Sequence, residues 1–116
     1  MENIVSIWIG DFESEEKFIT FTQEQYDEEG DCRPSLFMEA FEIDDLDHDF
    51  QEILFQENLS KNDIEQASYA ESFIDKINDN SLKGNCIILL YDFNYKGKVQ
   101  TNNGLHFLGT FKYEKT

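Results

Sequence analysis

Between Asn85 and Phe93 the chain reads NCIILLYDF, its most apolar stretch, directly after Gly84. A short apolar run bounded by a chain breaker and rich in branched side chains forms a strand, and this one is expected to be innermost in its sheet. The rest of the chain then has to supply its neighbours. Asn3 to Ile9 (NIVSIWI) is β-branched and aromatic and stops at Gly10. Its apolar residues fall on both faces, which predicts a central rather than an edge position. Phe50 to Glu57 (FQEILFQE) gives a third strand, with Ile53 and Phe55 on one face and Leu54 on the other. In the fourth, Leu105, Phe107, Phe111 and Tyr113 alternate with His106, Thr110 and Lys112, as in a half-buried strand. The connection NYKGKVQTNNG predicts that the last two strands form an antiparallel hairpin.

Helices fill the gaps. Ser14 can cap a helix whose first turn carries Glu15 and Glu16, where the helix dipole favours anions, and which runs to about Tyr26 with Phe18 and Phe21 on its apolar stripe. Asp27 to Asp31 (DEEGD) breaks it. Pro34 and Ser35 then open one or two helical turns, LFMEAF, and residues 42–49 read as a loop. Ser60 with Asp63 resembles a capping box. Ile64, Ala67, Ala70, Phe73, Ile74 and Ile77 form a helical stripe beyond it, with a break near Ser68. The order β-α-(α)-β-α-β-β predicts one α+β domain over residues 1–116. About four strands form a mostly antiparallel sheet, and two or three helices pack on one face.

Charge narrows function. The chain holds 25 acidic and 9 basic residues, a net of −16, yet its 15% aromatic content is far from a disordered composition. Between Phe18 and Ser60 the sole cation is Arg33, against thirteen carboxylates. Such a field repels nucleic acid and anionic lipid and speeds association with cationic partners. Neither a membrane-spanning run nor a secretory leader is readable, so a cytoplasmic setting with reduced cysteines is expected. Cys86 reads as core and Cys32 as an unreactive loop residue.

Chemistry finds little support. Asp45-Leu46-Asp47-His48-Asp49 opens like a calcium loop, but Phe50 stands where a glycine is needed and Gln56 where a bidentate glutamate belongs. There is no Walker loop, nucleophile elbow, zinc-protease motif or C-x-x-C. No catalytic, cofactor or metal residue is therefore assigned, and no enzymatic activity is expected. Trp8 is left open between a core residue and a binding-face anchor.

The segment Val5 to Phe12 (VSIWIGDF) resembles the immunity protein 22 family of bacterial polymorphic toxin systems. So do the acidic tract ending in Pro34-Ser35-Leu36-Phe37, the strand Asp49 to Phe55, and Ser68-Tyr69 followed by Ser72-Phe73-Ile74. The resemblance runs from Val5 to about Leu90. It implies an antidote that binds and blocks a cognate toxin domain, without catalysis or cofactor. It supplies no contact residues. The residues themselves nominate the carboxylates Asp27, Glu28, Glu29, Asp31, Glu42, Asp44, Asp45, Asp47 and Asp49 as the face for a basic partner, such as the phosphate-binding groove of a nuclease. Two other classes stay open: an acidic nucleic-acid mimic with many targets, and a small metal-dependent enzyme using Asp44 to Asp49. Oligomeric state is not readable.

Overall fold

A computed structural model describes residues 3–44, 46, 48–78, 80 and 82–114. Its centre is β1 (Ile4–Gly10), the middle strand of a five-stranded antiparallel sheet. One flank is β5 (Cys86–Tyr91) and then β4 (Gln51–Phe55). The other is β7 (Leu105–Lys112) and then β6 (Thr101–Asn102). Every residue of β5 is buried, as expected of an inner strand, although the geometric middle belongs to β1. The expected four strands become five in this sheet, with a separate two-stranded ribbon of β2 (Gln25–Tyr26) and β3 (Cys32–Arg33).

Helical segments cover both faces of the sheet rather than one. Val5, Ile7 and Ile9 point to the same side as Ile87, Leu89 and Tyr91, beneath the segment from Leu59 to Ile77. Trp8 points to the opposite side with Cys86, Ile88 and Leu90, beneath α1 (Glu15–Thr22) and α2 (Leu36–Ala40). The cause lies in the strands. Side chains alternate between faces, and β1 and β5 are apolar at every position except Ser6 and Gly10, so one helical layer would leave an apolar face wet. Ser6 is buried but satisfied, donating to the Phe93 carbonyl (2.6 Å) and accepting from the Tyr95 amide (3.0 Å).

The helices are shorter than the sequence predicts. Ser14 caps α1 through its side chain, but Gln23 turns extended and the chain enters the ribbon, so Gln25 and Tyr26 belong to a strand. After Ser60 and its capping box, α3 (Lys61–Ile64) gives way to single 3₁₀ turns at Ala70–Ser72 and Ile74–Lys76. Tyr69, in the left-handed conformation (φ 60°), marks the expected break. Ile64, Ala67, Ala70, Phe73, Ile74 and Ile77 are all buried. The stripe identifies the packed residues but not a continuous helix.

Two further expectations fail on strand pairing. β5 and β7 do not form a hairpin, because β1 lies between them. The turn before β7 closes a short hairpin with β6 instead. The alternation along β7 also changes phase. Trp8 pairs with Phe107 but Ile7 pairs with Gly109, so Leu108 is an extra residue, a β-bulge. Leu105 and Phe107 therefore pack with the Trp8 layer, while Leu108, Phe111 and Tyr113 pack with the opposite one.

Candidate functional site

The acidic segments sit on loops around the ribbon and the outer strand β4. Asp27 to Asp31 form the ribbon's tip. Asp27 is half-buried and organises it: its Oδ1 accepts the amides of Glu29 (3.0 Å) and Asp31 (2.9 Å), and Arg33 Nε lies 3.3 Å from Oδ2. Gly30, at φ 85°, makes the reversal. Glu28, Glu29 and Asp31 are left exposed on this turn. Glu42 and Asp44, also exposed, follow α2 and share a shallow depression with Pro34 at the foot of the ribbon. Asp49 is exposed in the 3₁₀ turn His48–Phe50 that leads into β4. Asp45 and Asp47 lie outside the described residues.

One carboxylate ties these pieces together. Glu24, just after α1, accepts from Cys32 Sγ at 2.8 Å on the ribbon, and its other carboxylate oxygen lies 3.1 Å from His48 Nδ1 in the turn before β4. The resulting groove, about 520 Å³, is floored by Ile19 and Ile53 and walled by Glu24, Tyr26, His48 and Gln51. His48 Nε2 and Gln51 Oε1 are buried there with hydrogen-bonding capacity unspent. Unmet buried polar atoms cost free energy, and a partner's polar groups would remove that cost.

Exposed apolar side chains accompany the charge. Tyr26 is 67% exposed, Phe50 45% and Leu36 42%. All three lie within the acidic stretch, and Tyr26 and Phe50 adjoin Asp27 and Asp49 in sequence. Sequence reasoning missed Tyr26 and Phe50 by assigning them to a helix stripe and a strand. The available signal was position: each is a large aromatic directly beside a charge run, Tyr26 before Asp27 and Phe50 after Asp49.

Trp8 is resolved as core. It is fully buried between Phe37 (5.0 Å between centroids), Phe41 (5.8 Å), Tyr95 (5.1 Å) and Phe107 (5.0 Å). The two cysteines are free thiols. The hydrogen bond to Glu24, with that carboxylate's charge, pushes the Cys32 pKa up and holds it as thiol. Burial, and then the charge of Asp11, pushes Cys86 up to about 12. Neither environment makes a thiolate nucleophile at neutral pH. Among the described residues no three His, Cys, Asp or Glu side chains gather as metal ligands would. No helix among them is long and apolar enough to cross a membrane. What the arrangement can do is present carboxylates, exposed aromatics and unspent hydrogen-bonding groups to another macromolecule.

A family model described as Immunity protein 22 matches residues 5–114. No curated protein and no solved structure matches the chain.

Proposed function

The chain belongs to the Immunity protein 22 family, and from that membership we propose that it binds and neutralises a cognate bacterial toxin domain through the acidic face around the ribbon and β4, itself catalysing nothing. The observation that carries this reading is the coincidence on one stretch of exposed carboxylates and exposed aromatics. Charge of one sign steers a cationic partner and raises the association rate, while a few aromatic anchors govern affinity and dissociation. A nuclease is the toxin chemistry that best fits, because its substrate groove must be basic to hold phosphate.

The test is association with the toxin domain paired with this protein in its own genome, measured by stopped-flow at several salt concentrations. Replacing Glu28, Glu29 and Glu42 by Gln and Asp44 by Asn removes four exposed charges from the face. The expected result is an on-rate lowered about tenfold or more at low salt, with a flatter salt dependence. A control neutralising Glu65, Glu71, Asp75 and Glu114 changes net charge equally, but outside that face, and should alter the on-rate much less. Equal effects from the two sets would reduce the acidity to a general field. Inhibition of unrelated nucleases at comparable affinity would instead favour a nucleic-acid mimic.

A further inference from the structure

On the other side of β4 from the Glu24 groove lies a pocket of about 240 Å³, lined by Asp49, Phe50, Glu52, Ser68, Tyr69, Tyr91 and Tyr113. Three tyrosines form its aromatic wall. Tyr69 stacks on Tyr113 at 5.4 Å and 28°, and Tyr91 meets both edge-on, at 6.1 Å from Tyr69 and 5.2 Å from Tyr113. Tyr91 and Tyr113 are 6% and 3% exposed, whereas Tyr69 is half-buried and gives the accessible ring. Two hydroxyls are committed elsewhere: Tyr91 donates to the Ser68 carbonyl (2.6 Å) and Tyr113 to Asp92 Oδ1. These residues therefore meet a ligand chiefly as ring.

The rim carries the opposite character. Asp49 is exposed, Glu52 is half-buried with one oxygen accepting the Ser68 amide (3.1 Å), and exposed Phe50 stands beside them. Aromatic rings faced by carboxylates select a cation, because the ring quadrupole and the negative charge attract the same ligand. Size refines the choice. Pockets for small molecules run from about 300 Å³ upward, so this one suits the end of a single side chain better than a cofactor. A planar guanidinium stacks flat on tyrosine while its fixed fork of N–H groups reaches a carboxylate, whereas a lysine ammonium offers a compact point charge without a flat face.

We propose that this pocket receives an arginine side chain of the partner protein, stacked on Tyr69 and paired with the Asp49–Glu52 rim. The proposal rests on the reading that the chain binds a protein. It adds a specific anchor on the far side of β4 from the groove.

The test is an NMR titration of the full chain with N-acetylarginine methylamide, and with the citrulline analogue, of nearly the same shape but uncharged. The tyrosine ring resonances of Tyr69, Tyr91 and Tyr113 should shift with half-saturation in the millimolar range, and citrulline should bind about tenfold more weakly or worse. Tyr69→Phe keeps the ring and should retain binding; Tyr69→Leu should abolish it. Glu52→Gln leaves an oxygen for the Ser68 amide but removes the charge, and should weaken binding several-fold. The amide spectrum of each variant reports whether it is folded. Citrulline matching arginine, or equal binding by folded Tyr69→Leu, would overturn the proposal. No toxin is present in this titration, so the two readings fail separately. Protection of cells without arginine binding removes the pocket alone, whereas arginine binding without protection removes the antidote reading and keeps the pocket.

Discussion

Trp8 brings its indole N–H into the core without an acceptor among the described residues, while its ring fills the space between α2 and the sheet. Those two contributions oppose each other. An unmet buried donor costs about 1–3 kcal/mol, and truncating a buried tryptophan to alanine loses about 3–5 kcal/mol. Trp8→Phe removes the donor and keeps a ring, so urea unfolding should show it far less destabilised than Trp8→Ala, by a margin of at least about 2 kcal/mol. The buried titratable groups make a second prediction. Burial first, then nearby negative charge, raises both Cys86, to about 12, and Tyr91. The folded state therefore holds those protons more tightly than the unfolded chain does. Their contribution to stability is complete below the ordinary values of 9.0 and 10.0 and is lost as pH rises through the raised ones. Denaturant midpoints should fall steeply from about pH 9 upward, and Cys86→Val should flatten the early part of that fall. At this scale the sequence was a mixed guide. Composition marks Cys86 as core, but nothing local tells whether Trp8 faces inward or outward, because that depends on which elements cover each side of β1.

The four long strands and their burial were legible at the level of elements, since they follow from local pattern. Pairing and phase were not. The residue pattern of β7 is compatible with one unbroken alternation, and only the register against β1 reveals that Leu108 is an inserted residue. The buried stripe from Ile64 to Ile77 likewise fits a helix with one break near Ser68, which left-handed Tyr69 supplies, but not its reduction to a four-residue helix and two 3₁₀ turns. A bulky residue at positive φ costs about 1–3 kcal/mol and persists where its surroundings fix it; here its ring stacks on Tyr113. The ribbon was invisible for another reason, as a two-residue strand carries almost no periodic signal. At the end of β1 the chain passes so close to the turn before β7 that a Cβ on Gly10 would lie 2.0 Å from the Gly104 carbonyl oxygen and 2.7 Å from Leu105 Cα. Both obstacles are backbone, so relief requires moving the β1–β7 pair. Gly10→Ala is expected to cost about 3 kcal/mol or more, read as a lowered melting temperature with faster exchange of the Asp11 amide, which donates to Gly104 O at 3.1 Å. Its effect should exceed that of Gly30→Ala, where no atom lies within 4 Å of the added methyl.

Across the whole molecule, thirteen carboxylates between Phe18 and Ser60 stand against Arg33 alone, and Arg33 is paired with Asp27. The carboxylates must repel one another. Raising salt from about 0.01 to 0.15 M shortens the screening length from about 30 to 8 Å and should raise the melting temperature by about 3–6 °C. No rise would mean that the charges are too far apart to interact. The proposed face was legible in this collective sense: the acidic bias marks its sign and its stretch of chain, while the exposure of Tyr26 and Phe50 required the fold. Topology carries a last consequence, for the time at which the sheet can form. β1, near the start of the chain, is completed only when strands at 86–91 and 105–112 pair on its two sides. During synthesis it emerges with both apolar faces and both backbone edges unmet; the chain must reach Tyr91 before the first flank closes and Lys112 before the second. Non-local pairing of this kind slows folding, to about the millisecond-to-second range. Translation therefore leaves an interval in which the chain exists but its sheet does not, and in that interval the apolar faces and open edges of β1 are exposed to pairing with other chains.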